Sequence, residues 1–372
     1  MVFSILFFIL LLLASFQLWF WGKNYTLITK KDSRIKTKSG TLKDRKVSVV
    51  ISSRNNGENL VRNLETVCSQ NYANYEVLVI DDGSTDNTAN LLHIALGKFE
   101  NLRVYQREKA KGEQGKRAAL KLGLEKATGD FILFTDSDCK PSSAHWIGKM
   151  LDYVVSPEID LVIGLSPYRL EKGLLNKVIQ FETSHTALLM LGRAKTGRPY
   201  MALGRNMLIR TSALKDIGAF EEHDLLSGDD DLTVNSFARG ANTACCTDPG
   251  AMTFSPAVQS WPDYSRQKKR HFSAGKYYKS EDKIFLGFLS LGHALFLPTL
   301  FIFFISGYSS FFVSGILLFL LRQLLIILNF YKAKTSYSFR LPLLYVLLLD
   351  IFYPLYYLFF SSYIFWSDVR RW

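Results

Sequence analysis

Asp136 and Asp138 stand one residue apart at the end of an apolar run, FILFTDSDCKP (131–141). Strand side chains alternate with period two, so an Asp-x-Asp at a strand end is expected to turn both carboxylates to one face. Like charges that close raise each other's pKa, and a cation between them is the expected relief. An all-oxygen pair suits a hard divalent ion, Mg2+ or Mn2+, bridging a diphosphate. Two other aspartate motifs are excluded. Lys140 replaces the Thr or Val of a D-x-D-x-[TV] phosphatase loop, and the further ligands and Gly of an EF-hand are missing. Alone, the pair is also compatible with a solvated turn that caps the next helix.

Three further clusters carry chemistry. VISSRNNGENL and VLVIDDGSTDNT put Asp81 and Asp82 at the end of a second apolar run. Carboxylates there could read a ribose or a base edge, or Asp82, Ser84 and Asp86 could cap a helix. KGEQGKRAAL departs from the phosphate loop G-x-x-x-x-G-K-[ST], with Ala110 at the first Gly and Arg117 at the Ser/Thr. Lys116 could still meet a phosphate at a helix start, or be a surface lysine. SGDDDLTVNSFARG opens an apparent helix with Asp229, Asp230 and Asp231, more carboxylates than one N-cap needs, and reads as the place of an active-site base. Close behind it, SRQKKRHFSAGKYY is basic and aromatic, as a segment lying on a membrane surface would be.

The elements that must position these residues alternate. KVSVVISS (46–53), YEVLVIDDGS (75–84), LRVYQRE and FILFTD read as strands, the first two as buried on both faces. NLVRNLETVCSQ, NTANLLHIALGKF and GKRAALKLGLEKA read as the helices between them. Such β-α-β-α order predicts an α/β fold with a parallel sheet and right-handed crossovers. Ligands in that class gather at the carboxyl ends of the strands, where each cluster above lies.

Both ends of the chain are apolar and aromatic. FSILFFILLLLASFQLWFW (3–21) is long enough to cross a bilayer and lacks the basic n-region and small-residue cleavage site of a secretory signal. Nine Lys or Arg follow within GKNYTLITKKDSRIKTKSGTLKDRKVS, which places the next domain in the cytoplasm by the positive-inside rule. Segments 284–306, 310–330 and 341–366 are further candidate spans, giving two to three at the C-terminal end, since a third would leave SDVRRW outside. Arg322 and Asp350 within them are expected to face the bundle interior and to pair. Much of the net charge of +12 sits beside these segments, so anionic membrane lipids, not nucleic acid, are the expected partners. Cys68, Cys139, Cys245 and Cys246 show no zinc or disulfide spacing.

Five motifs in order, IDDGSTD (80–86), GKRAAL (115–120), DSD (136–138), GDDDL (228–232) and QKKRH (267–271), resemble those of the membrane-bound family-two inverting glycosyltransferases. That family includes the synthases of cellulose, hyaluronan and poly-N-acetylglucosamine. The resemblance covers about 47–280 and the flanking spans, and implies a GT-A-type, Rossmann-like domain taking a nucleotide-diphospho-sugar, usually a UDP-sugar. It implies that Asp81, with Asp82, Ser53 and Glu58, holds the nucleotide and that Lys116 approaches the diphosphate or sugar. Asp136 and Asp138 would hold the metal, Asp136 also the sugar end of the donor. Asp229 would be the base, with Asp230 its rival, and Gln267 and Arg270 would close over the pyrophosphate. Three positions depart from the pattern: Asn56 replaces an acidic residue, Gly228 replaces the Glu of Glu-Asp, and His271 replaces the Trp that stacks beneath the acceptor in processive relatives.

The implied protein is an integral membrane glycosyltransferase, inverting and metal-dependent, of a bacterial inner membrane. It moves one or a few sugars to a lipid-linked or glycan acceptor on the cytoplasmic face. Its expected divisions are an anchor (1–22), a basic linker (23–46), the GT-A domain (47–265), an interfacial gating segment (266–283) and a C-terminal membrane region (284–372). A processive polysaccharide synthase is the nearest alternative. A nucleotidyltransferase and a non-catalytic membrane scaffold or transporter are alternatives of other classes.

Overall fold

The structure, a computed structural model, describes residues 1–28, 44–107, 115–220, 229–337 and 339–366, with the side chains of 229–230, 335–336 and 363–366 outside that description. The linker and Gly-rich loop at 29–43 and 108–114, Gly228 and the tail SDVRRW therefore lie outside the described residues.

After helix α1 (Val2–Leu27), the chain alternates through β1 (Val47–Ser53), α2 (Gly57–Cys68), β2 (Tyr75–Asp81), α3 (Thr88–Leu96), β3 (Leu102–Gln106), α4 (Lys116–Lys126) and β4 (Phe131–Asp136). The expected strands and helices of this half are all present. Their β-branched and aliphatic residues fill both faces of the sheet: Val49, Val50, Val77, Leu78, Ile132 and Leu133 are fully buried. Each such side chain contributes about 1.5–3 kcal/mol relative to exposure.

The second half holds β5 (Lys140–Pro141), α5 (Trp146–Leu151), β6 (Leu161–Ile163), α6 (Leu174–Lys195), β7 (Met207–Arg210), α7 (Thr211–Asp216), α8 (Asp229–Phe237), β8 (Thr243–Cys245) and β9 (Thr253–Phe254). The sheet order is β3-β2-β1-β4-β7-β6-β8. It is mixed, parallel where the β-α-β-α order led to that expectation and reversed at one later strand. β1, β2, β3 and β4 are parallel, but β7 runs antiparallel to β4 and β6. The chain enters β7 at the carboxyl end of β4, with Met207 opposite Phe134, so the strand must run back along the sheet.

Among the described residues, four helices are long and apolar enough to cross a membrane: α1, α10 (Ser280–Ile305), α11 (Ser309–Tyr337) and α12 (Leu343–Trp366). Between sheet and bundle lie α6 and the amphipathic α9 (Trp261–Ala274). Helix α6 is buried on nearly every side, and its polar residues find partners on other elements. Arg193 pairs with Asp282 of α10, while Asn24 of α1 donates to the Leu188 carbonyl (3.1 Å). Arg322 and Asp350 do pair inside the bundle, together with Gln17, Gln323 and His293.

Candidate active site

A cavity of about 1150 Å3 opens at the carboxyl ends of β1 and β4 and continues into the helix bundle. Asp136 is the last residue of β4, but Asp138 lies in the turn that follows, closed by the Cys139 N–H donating to the Asp136 carbonyl (3.0 Å). A turn, not strand alternation, therefore brings the two carboxylates together. Ligand atoms of Asp136, Asp138 and Cys139 lie within 4.8 Å of one another. Cys139, whose spacing in the sequence gave no metal signal, is the unforeseen member. Burial, then the charges of Asp138 and Asp136, push its thiol up, so it stays protonated and a weak ligand.

The electrostatics of the pair are asymmetric. Burial opposes ionisation of Asp136, but Lys116 ion-pairs with it, and with Arg205 and Arg270 behind holds its carboxyl below the usual range. Asp138 is pushed up, by burial first and by the charge of Asp136 second. A divalent cation would relieve both effects, and the two oxygen donors fit a hard ion.

At the other carboxyl ends, Ser53 and Asp82 line the cavity. The Ser53 hydroxyl is buried, 3% exposed for the residue, and among the described residues has no hydrogen-bond partner. Asp82 accepts from Arg107 Nε (2.7 Å). Asp81 is not on the cavity wall: it accepts from the Ser84 N–H (3.1 Å) and hydroxyl, shaping a turn in which Gly83 takes φ 63°. Asp86 accepts from the Thr88 N–H (3.0 Å) at the start of α3, the capping role weighed for it. Glu58 is exposed in the first turn of α2, away from the lining. Asn56, at the altered acidic position, donates to Ser137 Oγ (2.8 Å) within the Asp-Ser-Asp turn.

Helix α9 closes the opposite wall with Gln267, Arg270 and His271. It is fixed by Lys268, buried and ion-paired with the buried Glu182 of α6. Gln267 Nε2 donates to the Tyr168 hydroxyl (3.3 Å). Burial, then Lys268, Arg270, Arg205 and Lys116, hold His271 well below its ordinary pKa, so it is neutral near pH 7. Asp229 and Asp230 open α8, but their side chains lie outside the described ones. Asp231 lines the cavity and accepts from the Tyr278 hydroxyl (2.7 Å).

Lys268→Met is expected to leave Glu182 buried without its cation, destabilising the fold by ~3 kcal/mol. Adding Glu182→Gln should recover much of that loss in a thermal melt. A single variant as stable as the parent would show that α9 is held by its aromatic contacts alone.

Residues 48–218 match the model of the family described as Glycosyl transferase family 2. Glycosyltransferase AglE of Haloferax volcanii is 30% identical over 186 residues, 50% of this chain and 58% of that protein. Probable glycosyltransferase YdaM of Bacillus subtilis is 23% identical over 312 residues, 82% of this chain and 72% of that one. The match thus spans little more than half the length of AglE. The mannosyltransferase PcManGT from Pyrobaculum calidifontis, solved with GDP-Man and Mn2+, superposes with a TM-score of 0.61 at 15% identity, over 97% of this chain and 96% of that one. That likeness speaks to the fold. Sequence match and architecture agree on the segment from β1 through β7: residues 48–218 match glycosyl transferase family 2, and the fold is of GT-A type.

Proposed function

We propose that the protein is an inverting, metal-dependent glycosyltransferase of a bacterial inner membrane, with its catalytic domain on the cytoplasmic face. It takes a nucleotide-diphospho-sugar, a UDP-sugar in the first instance, and passes the sugar to a lipid-linked or glycan acceptor. One observation carries this reading: a single cavity is lined by Asp136, Asp138 and Lys116 at the sheet edge and by Gln17, His293 and Arg322 inside the bundle. A donor at the sheet and an acceptor arriving from the membrane would meet in it. In this reading residues 47–265 hold the donor and 266–283 close over it.

Ser53 and Asp82 face the nucleotide, and the orphaned Ser53 hydroxyl is available to it. An acceptor hydroxyl is a poor nucleophile, so a carboxylate of the 229–231 triplet takes its proton as it attacks the anomeric carbon. Asp229 is the first choice, Asp230 its rival, and Asp231 a third on the cavity wall. Lys116, Gln267 and Arg270 orient the diphosphate and stabilise its charge as the sugar leaves. Asp136 and Asp138 would hold Mg2+ or Mn2+, which when bound would supply further charge neutralisation for the leaving group. One in-line displacement inverts the anomeric centre. His271 in place of Trp favours short products over processive synthesis.

The test is release of UDP or GDP from a panel of sugar nucleotides, GDP-mannose included, by the purified full-length protein. Asp229→Asn is expected to lower the rate by ~10²–10⁴-fold. Full activity in that variant would move the base to Asp230 or Asp231. Long labelled product in vesicles would overturn the non-processive reading, and the absence of release from any donor would sink the assignment itself.

A further inference from the structure

One charged residue on the cavity wall acts on the donor end only through its charge beside Asp136 and has no counterpart among the sequence motifs. The guanidinium of Arg205 lies over the Tyr168 ring, 4.1 Å from its centroid. Its Nη1 donates to Ser255 Oγ (3.0 Å) and its Nη2 to the Ser166 carbonyl (2.8 Å). Among the described residues it forms no ion pair with a carboxylate, although Lys116, Lys268 and Arg322 around the same cavity each have one. It is an obligate cation, since arginine does not deprotonate in proteins.

Its placement is rigid. Thr253 Oγ1 donates to the Arg205 carbonyl (3.0 Å). The next residue, Asn206, is fully buried: its Nδ2 donates to the Leu165 and Ala251 carbonyls (2.7 and 2.8 Å), and its Oδ1 accepts from Trp146 Nε1 (2.9 Å). A fork of fixed N–H groups on a locked backbone is preorganised for a planar or tetrahedral oxyanion. The ring beneath it, Tyr168, is the one that Gln267 of α9 contacts, which sets Arg205 between α9 and the turn that carries Asp136 and Asp138.

The neighbouring charges add up in one direction. Arg270 and Lys276 line the same cavity, Glu182 is neutralised by Lys268, and Asp231 is engaged by Tyr278. The donor diphosphate already has Lys116 and the carboxylate-bound cation at its end of the cavity. A second anion is what the remaining wall fits.

We propose that Arg205, with Lys276, forms a subsite for a phosphate group on the acceptor, so that the enzyme selects a phosphate-bearing acceptor over a neutral glycan. The proposal rests on the glycosyltransferase reading for its setting and names the acceptor chemistry within it. Arg205 is thereby a specificity-determining residue that touches the acceptor and takes no proton. The phosphate could belong to a lipid headgroup or to a soluble phosphomonoester, and the two are separable.

The test is a binding titration on the full-length protein in a neutral detergent, with UDP or GDP and Mn2+ saturating. The probes are dodecyl phosphate, inorganic phosphate and dodecyl glucoside. Dodecyl phosphate is expected to bind with nucleotide in place, and Arg205→Gln to weaken it by ~10-fold or more, as loss of a charged hydrogen-bonding partner does. Arg205→Lys, which keeps charge but loses the fork, should fall between, and it serves where the Gln variant does not fold. Dodecyl glucoside affinity should not follow Arg205. Equal affinity for inorganic phosphate supports the subsite with a soluble source, and tighter dodecyl phosphate supports a lipid source.

Two results overturn the proposal: dodecyl phosphate affinity unchanged in Arg205→Gln, or phosphate that binds only by displacing the nucleotide, which assigns Arg205 to the donor. Nucleotide affinity, read in the same titration, keeps the two readings apart. A protein that binds dodecyl phosphate through Arg205 but no nucleotide keeps the subsite and loses the glycosyltransferase reading. One that binds nucleotide but no phosphate does the reverse.

Discussion

Asp138→Ala is expected to lower sugar transfer by on the order of 10³-fold while leaving the melting temperature unchanged or slightly raised. The two halves of that expectation have one cause. Asp138 is held close to Asp136 in a half-buried turn, and its carboxyl is pushed up by burial and by that neighbouring charge. A residue kept for stability would not sit beside a like charge, and removing it relieves repulsion. In the proposed reaction its use would be to present a second oxygen beside Asp136, where the leaving diphosphate needs its charge offset. Chelation of the divalent ion should therefore abolish the same activity in the unmodified protein, and Asp138→Ala should bind Mn2+ more weakly in a direct titration. A variant that melts far lower and transfers sugar in proportion to its folded fraction would return Asp138 to the role of turn-former. Asp136→Asn should differ, since it strips Lys116 of its partner and is expected to lower stability as well as activity.

Legibility in the sequence tracked how locally each feature is specified. β1, β2 and β4 were readable because a strand buried on both faces is a continuous run of β-branched and aliphatic residues, whatever surrounds it. The convergence of Asp136 and Asp138 was readable too, though through the wrong geometry, since a closed turn and an alternating strand both bring i and i+2 together. Helix α6 was not readable as an element. Glu182 and Arg193 break its apolar pattern, and each is made tolerable only by a partner 86 or 89 residues away, Lys268 or Asp282. Arg205 was missed for the same reason, because LGRN carries no motif until Tyr168, Ser166 and Ser255 are folded around it. Asp81 and Asp82 look alike at a strand end, but one Asp81 oxygen accepts from Ser84, three residues on, while the neighbouring Asp82 faces the cavity. Strand direction at β7 could not be read at all, because four residues, MLIR, fit a parallel or an antiparallel neighbour equally well.

Arg322→Leu is expected to destabilise the protein by about 3–5 kcal/mol, because it leaves the Asp350 carboxylate in the bundle without its cation. Arg322 is 1% exposed and Asp350 0% exposed, and Gln323 Nε2 also donates to Asp350 (2.8 Å). The guanidinium donates in turn to Gln17, and His293 Nε2 stands 3.5 Å from Asp350. Gln17 belongs to α1, His293 to α10, Arg322 and Gln323 to α11 and Asp350 to α12, so one polar knot touches all four candidate spans. Paired charges of similar volume can often be exchanged for apolar residues with little loss, whereas removing one partner cannot be compensated. Arg322→Met with Asp350→Leu should therefore recover most of the stability lost in Arg322→Leu. The measurement is a tryptophan-fluorescence melt of the three proteins in one detergent. A double variant as unstable as the single one would mean that the hydrogen bonds to Gln17, Gln323 and His293, not the ion pair, hold the spans in register. Either way the consequence reaches the sheet domain, because α6 packs against α1, α11 and α12 and carries the Glu182 that anchors α9. A bundle whose spans shift carries Gln267, Arg270 and His271 away from the carboxylate pair, so transfer is expected to fail at temperatures well below the melt of the sheet.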